Sequence, residues 1–169
     1  MSKRGNAICW TLAGFALALV AAGPGNAAAG GEQDQFDRSW ESHHWAVMMV
    51  LMEKPRRLAA VVDRESLQSG PDGTREFNFL TLSEGEARRI GLVGRVRIDC
   101  RTMAMTDLGS VRYSGGDGVS ARAPDTDPVM LEPEAAIYPA AQAACTGDFG
   151  AMQLIDGDEA AMRRATFPS

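Results

Sequence analysis

The sequence predicts an α+β domain, a mostly antiparallel β-sheet with a short C-terminal helix packed on it and tied by a disulfide. Three observations predict it. Apolar and polar residues alternate in short runs, most clearly where Val96, Ile98 and Cys100 interleave with Arg95, Arg97 and Asp99. That two-residue period is a strand with one face in the core and the other in water. Dense turn signals at Ser69–Gly73 and Ser114–Gly118 separate such runs. An alanine-rich stretch from Pro139 ends at Cys145, with Gly147 placed to stop it in the left-handed conformation.

Residues 1–29 read as a signal peptide. Lys3 and Arg4 precede an apolar run from Ile8 to Ala22, which Pro24 and Gly25 interrupt before small residues. Cleavage is expected after Ala27 or Ala29. The run, about 15 residues, is shorter than the roughly 20 that cross a bilayer, so no transmembrane span is expected in the mature form. The product is expected outside the cytoplasm, in the periplasm or at the cell surface or secreted. Cys9 lies within the leader, and an exported chain meets oxidants, so a disulfide is the expected state of Cys100 and Cys145. The alternative is two buried thiols.

About 140 residues then remain, enough for one domain with a single core. The chain has 17 Lys plus Arg against 22 Asp plus Glu, net −5; removing Lys3 and Arg4 leaves 15 against 22, or −7. This balance opposes nucleic-acid binding, which relies on excess positive charge.

Residues 30–44 read as a flexible or partly helical N-terminal segment, and residues 45–155 as the domain. Trp45–Met52 is an apolar run that suits a buried strand, Glu53–Pro55 a turn, and Arg57–Asp63 a second strand, together a hairpin. A third strand follows the turn at Ser69, with Phe77 and Phe79 alternating against Asn78 and Leu80. The Val96–Cys100 strand is expected to continue through Met103 and Met105. Ser110–Tyr113 forms the next strand, and Ala121–Pro128 is a Pro- and Asp-rich loop before a short extended piece at Val129–Leu131. The helix is barely two turns long and requires tertiary support. Residues 156–169 are charged and are expected to form a flexible tail.

The blocks Val61–Leu67, Val96–Cys100 and above all Leu131–Cys145, with its Leu-x-Pro, Tyr-x-Ala-Ala-Gln and Cys spacing, resemble the surface-adhesin protein E family of Gram-negative bacteria. The likeness runs from Trp45 to Leu154. It implies a small secreted α+β domain whose C-terminal helix is fastened to an antiparallel sheet, displayed on the cell envelope. It also implies homodimerisation and binding of host extracellular-matrix or bacterial envelope proteins, in part through a basic segment leading into the first cysteine. Here that segment supplies Arg88, Arg89, Arg95, Arg97 and Arg101 as candidate partner-binding residues. A bland reading of Arg95 and Arg97 is a solvated strand face paired with nearby carboxylates. The chain carries no lipid-attachment cysteine at the end of the leader, which favours the other reading of its function, a periplasmic structural or accessory protein without external ligand.

Catalytic motifs are missing: no GxSxG, no HExxH and no phosphate-cradling Gly-rich loop with Lys. The adjacent His43 and His44 would point to opposite faces of a strand, or about 100° apart on a helix, and are expected to form part of an amphipathic cover over the core. Asp63, Glu65 and Asp99 have no spacing that defines an acid/base pair, and Asp156, Asp158 and Glu159 lack calcium-loop spacing. No enzyme activity, cofactor or metal is expected.

Overall fold

The structure is a computed structural model that describes residues 30–51, 57–84, 89–115 and 117–168. The expected signal peptide, the expected turn at Glu53–Pro55 and Arg88 lie outside the described residues. Eight strands form one antiparallel sheet: β1 (His44–Leu51), β2 (Leu58–Ser69), β3 (Thr74–Ser83), β4 (Gly91–Asp99), β5 (Ala104–Ser114), β6 (Asp117–Arg122), β7 (Asp125–Met130) and β8 (Gln153–Asp156). Their spatial order is β6-β5-β4-β3-β2-β1-β8, and β7 also pairs with β5. Helices α1 (Gly30–Asp37), α2 (Tyr138–Thr146) and α3 (Glu159–Thr166) complete the domain, with a 3-10 turn at Arg38–Trp40. This is the α+β architecture expected, and Cys100 is bonded to Cys145, with Cα atoms 5.4 Å apart.

Both faces of the sheet are covered, which the alternation had not indicated. On one face Ala46, Val62, Phe77, Val96 and Ile98 pack against α2, whose Ala140, Ala141, Ala143 and Ala144 are buried. Alanines bring the helix close to the sheet, and Gly147 ends it at φ 77°, as the sequence predicts. On the opposite face Trp45, Val61, Leu80, Leu82, Val93, Val111 and Tyr113 pack against Phe36, Trp40 and Met162. Asn78 and Leu80 therefore face a second core, not water.

Residues 30–40 are helical despite their glycines, because Phe36 and Trp40, four residues apart, bury together and Trp40 meets the Tyr113 ring edge-on at 5.6 Å. Two expectations are corrected. The strand ending at Asp99 does not continue through Met103 and Met105. The Asp99 carboxylate accepts the backbone N–H groups of Arg101 (2.8 Å) and Thr102 (3.3 Å), Met103 adopts φ 58°, and the chain returns as β5. The Ala121–Pro128 segment is not a loop, since Ala121 and Arg122 end β6 and Asp125 begins β7.

The C-terminal tail is also corrected. Asp158 caps α3 by accepting the Ala161 N–H at 2.8 Å, and Glu159, Met162 and Thr166 bury along one helix face. Its charged residues take part in the docking: Arg163 bonds Glu159 at 3.0 Å and donates to the carbonyls of Ser83 and Ile90. The charged run concealed a helix in which Glu159 and Arg163 are paired.

Candidate functional site

The polar half of the α1-covered sheet face is built around Asn78. Its side-chain amide donates to Ser39 Oγ (2.6 Å) and to the Gln35 carbonyl (3.2 Å), and its Oδ1 accepts from Arg95 Nη1 (3.3 Å). A register shift in β2 between Asp63 and Gln68 makes room for this network. There Asp63 Oδ1 accepts the N–H groups of Glu65 and Ser66, while Ser66 Oγ accepts the Asn78 N–H. A cleft of about 500 Å³ opens over it, lined by Arg38, Glu41, Asp63, Glu65, Asn78 and Arg95 among others.

Electrostatics follow from burial and partners. Burial pushes the Asp63 carboxyl above its ordinary value, against hydrogen bonds from Ser42 and Ser39. Glu76 sits 2.9 Å from Arg95 and 2.7 Å from Arg97. Burial opposes its ionisation, yet the hydrogen bonds from Arg97 and Arg95 prevail and hold it below the usual carboxylate range. Glu65 is held low chiefly by the His43 N–H it accepts. Asp99 is held low by the Arg101 N–H. Tyr113 is raised by burial and by the neighbouring Asp37.

Among the described residues, the candidate arginines Arg89, Arg95, Arg97 and Arg101 do not form one cationic strip. Arg95, expected on the wet face, is only 8% exposed and donates to Asn78, Gln68 and Glu76. Arg97 shares Glu76, with its side chain 41% exposed. Arg89 lies 3.9 Å from Asp37, and its backbone N–H donates to Glu159. Arg101 is exposed in the β4–β5 turn. The structure thus brings Arg95 and Arg97 together, but around a carboxylate of the same chain.

Other candidates separate similarly. Asp63 and Glu65 line the cleft, whereas Asp99 caps the β4–β5 turn. His43 and His44 are exposed and do not cover the core; the His44 ring lies 2.8 Å from Asp156 and 3.7 Å from Glu65. Trp40 and Trp45 supply the buried part of that segment, and the Trp45 indole N–H donates to the Gly157 carbonyl at 2.9 Å.

Sequence reasoning missed a second surface, the sheet edge that β6 and then β7 form along β5. Every residue from Gly118 to Met130 is exposed, including Val119 at 56%, Val129 at 59% and Met130 at 58%. The available signal was the weak strand pattern on both sides of Pro124, masked by its prolines and aspartates.

Fold and surfaces together define a disulfide-pinned α+β domain with a charged cleft and an open, partly apolar sheet edge. No family model and no curated protein matches the chain. Among solved structures, crystal form II of Haemophilus influenzae protein E is similar over 52% of this chain and 80% of that one, with 20% identity and a TM-score of 0.42.

Proposed function

We propose that this chain is an exported, non-enzymatic domain that binds another protein, a bacterial envelope component or a host matrix protein, as an adhesin of the protein E type would. The observation that carries the reading is the sheet edge that β6 and then β7 form along β5, where Val119 on β6 and, farther along, Val129 and Met130 on β7 stand exposed. Apolar groups held open on a sheet edge gain free energy when a partner covers them. The disulfide between β4 and α2 suits an oxidising compartment. The arginines fit this role less well, because Arg95 and Arg97 are already engaged by Glu76.

The test is capture of purified envelope and matrix proteins by the immobilised domain, comparing the wild type with a Val119→Ser, Val129→Ser, Met130→Ser triple variant. The variant keeps its thermal midpoint, since all three side chains are exposed, and loses most of its capture. Equal capture by both proteins removes this edge as the binding surface. Protein confined to the periplasmic fluid and shielded from external protease excludes a surface adhesin and leaves the envelope partner.

A further inference from the structure

The edge strand β6 carries more information than its exposure. Among the described residues, β6 and β7 pair with no strand except β5, so the outer row of β6 backbone groups has no strand partner. Such a row is a template for one more strand. The edge of β7 is a poorer template. The Leu131 N–H donates to the Met103 carbonyl at 3.0 Å, the register with β5 shifts between Val129 and Asp125, and Pro128 within that shift brings no N–H. No proline interrupts Asp117–Arg122, although a register shift opposite Arg112 and Tyr113 leaves Val119 bulged, so the regular part of this edge is Ser120–Arg122.

Charge selects the occupant. The stretch from Ala123 to Glu134 contains Asp125, Asp127, Glu132 and Glu134 and no Lys or Arg. All four carboxylates are exposed, and none is in an ion pair among the described residues. Arg122, the cation nearest in sequence, is engaged by Asp107 at 3.6 Å. A second copy would bring like-charged surfaces of a chain with net charge −5 together. A basic strand meets complementary charge instead.

We propose that β6 accepts an extended, Lys- or Arg-bearing segment of a partner polypeptide as an added antiparallel strand. Its backbone bonds the outer row of β6, an apolar side chain covers Val119, and its cations reach the Asp125 and Asp127 carboxylates. The proposal rests on the protein-binding reading and names the chemistry of its partner.

The probe is a ten-residue synthetic peptide alternating lysine with valine and threonine; the control replaces lysine with glutamate. Binding to the full chain is followed by NMR shifts and amide exchange. The lysine peptide is expected to bind saturably, to slow exchange at Ser120–Arg122, and to weaken about tenfold as NaCl rises from about 0.05 to about 0.5 M. Asp125→Asn with Asp127→Asn lowers affinity by about tenfold, with an unchanged thermal midpoint as the check on folding. The proposal is overturned by equal binding of the glutamate peptide, by absence of saturable binding, or by protection of the same amides that grows with chain concentration alone. If a captured partner is retained equally by the aspartate variant, the added strand falls while protein binding stands. If neither the peptide nor any partner is captured, both fall.

Discussion

Replacing Arg95 by alanine is expected to unfold this domain more easily rather than merely remove a surface charge. Arg95 is 8% exposed and donates to Asn78 Oδ1 at 3.3 Å, Gln68 Oε1 at 3.2 Å and Glu76 Oε2 at 2.9 Å. A hydrogen bond to a charged group contributes roughly 1.5 to 3 kcal/mol, and breaking a buried ion pair costs roughly 3 to 5 kcal/mol. Glu76 keeps Arg97 at 2.7 Å, which offsets part of that loss. The expected cost is therefore about 3 kcal/mol, a large share of a typical domain stability of roughly 5 to 15 kcal/mol. Arg97→Ala is the internal control: with its side chain 41% exposed, it should cost about 1 kcal/mol or less. Urea denaturation followed by tryptophan fluorescence reads both variants, because Trp40 and Trp45 are buried. An Arg95→Ala protein within about 0.5 kcal/mol of wild type, or an Arg97→Ala loss of equal size, would refute the reasoning. It follows that weaker capture by an Arg95 variant reports folding before it reports contact.

Two further predictions concern the disulfide and acid stability. Cys100 and Cys145 are separated by 45 positions, and replacing both with serine should cost about 4 kcal/mol from loop entropy, with faster amide exchange in α2; a loss below about 1 kcal/mol speaks against that origin. Glu76 is held below its ordinary value of 4.5, so its contribution is complete above that pH and is lost as pH falls through its lower folded value. Asp63 works in the opposite direction, because its raised folded value makes protonation favour the folded form. A pH series from about 5 to about 2 should show a shallower acid loss in Glu76→Gln than in wild type, and identical slopes would contradict the Glu76 assignment.

Much of the sheet was legible in local pattern. The hairpin of β1 and β2, the strand beginning after Pro71–Gly73, and the short α2 ended by Gly147 all follow from alternation, turn residues and capping chemistry. What misled was the assumption that a polar residue on an alternating strand faces water. Asn78 and Arg95 stand opposite each other in the β3–β4 register, and α1 with the 3-10 turn closes over them. Asp158, followed by a run of helix formers, was a readable start signal for α3, hidden by attention to charge. Asp99 was a readable turn signal, hidden by the apolar methionines that follow it.

The sequence by itself determined the period of the strands, the turns at Ser69–Gly73 and after Ser114, the extent of a two-turn helix and the cysteine pair that fastens it. These depend on interactions within a few residues, and for the cysteines on the third, Cys9, lying in the apolar N-terminal run. Only the tertiary structure decided which face of each strand is dry, because that depends on what packs across the sheet: Phe36, Trp40 and Met162 arrive from both ends of the domain. It likewise decided that Arg95 belongs to the fold. The same arginine is a binding group in water and a structural one under a helix, and the difference is the desolvation that distant residues impose.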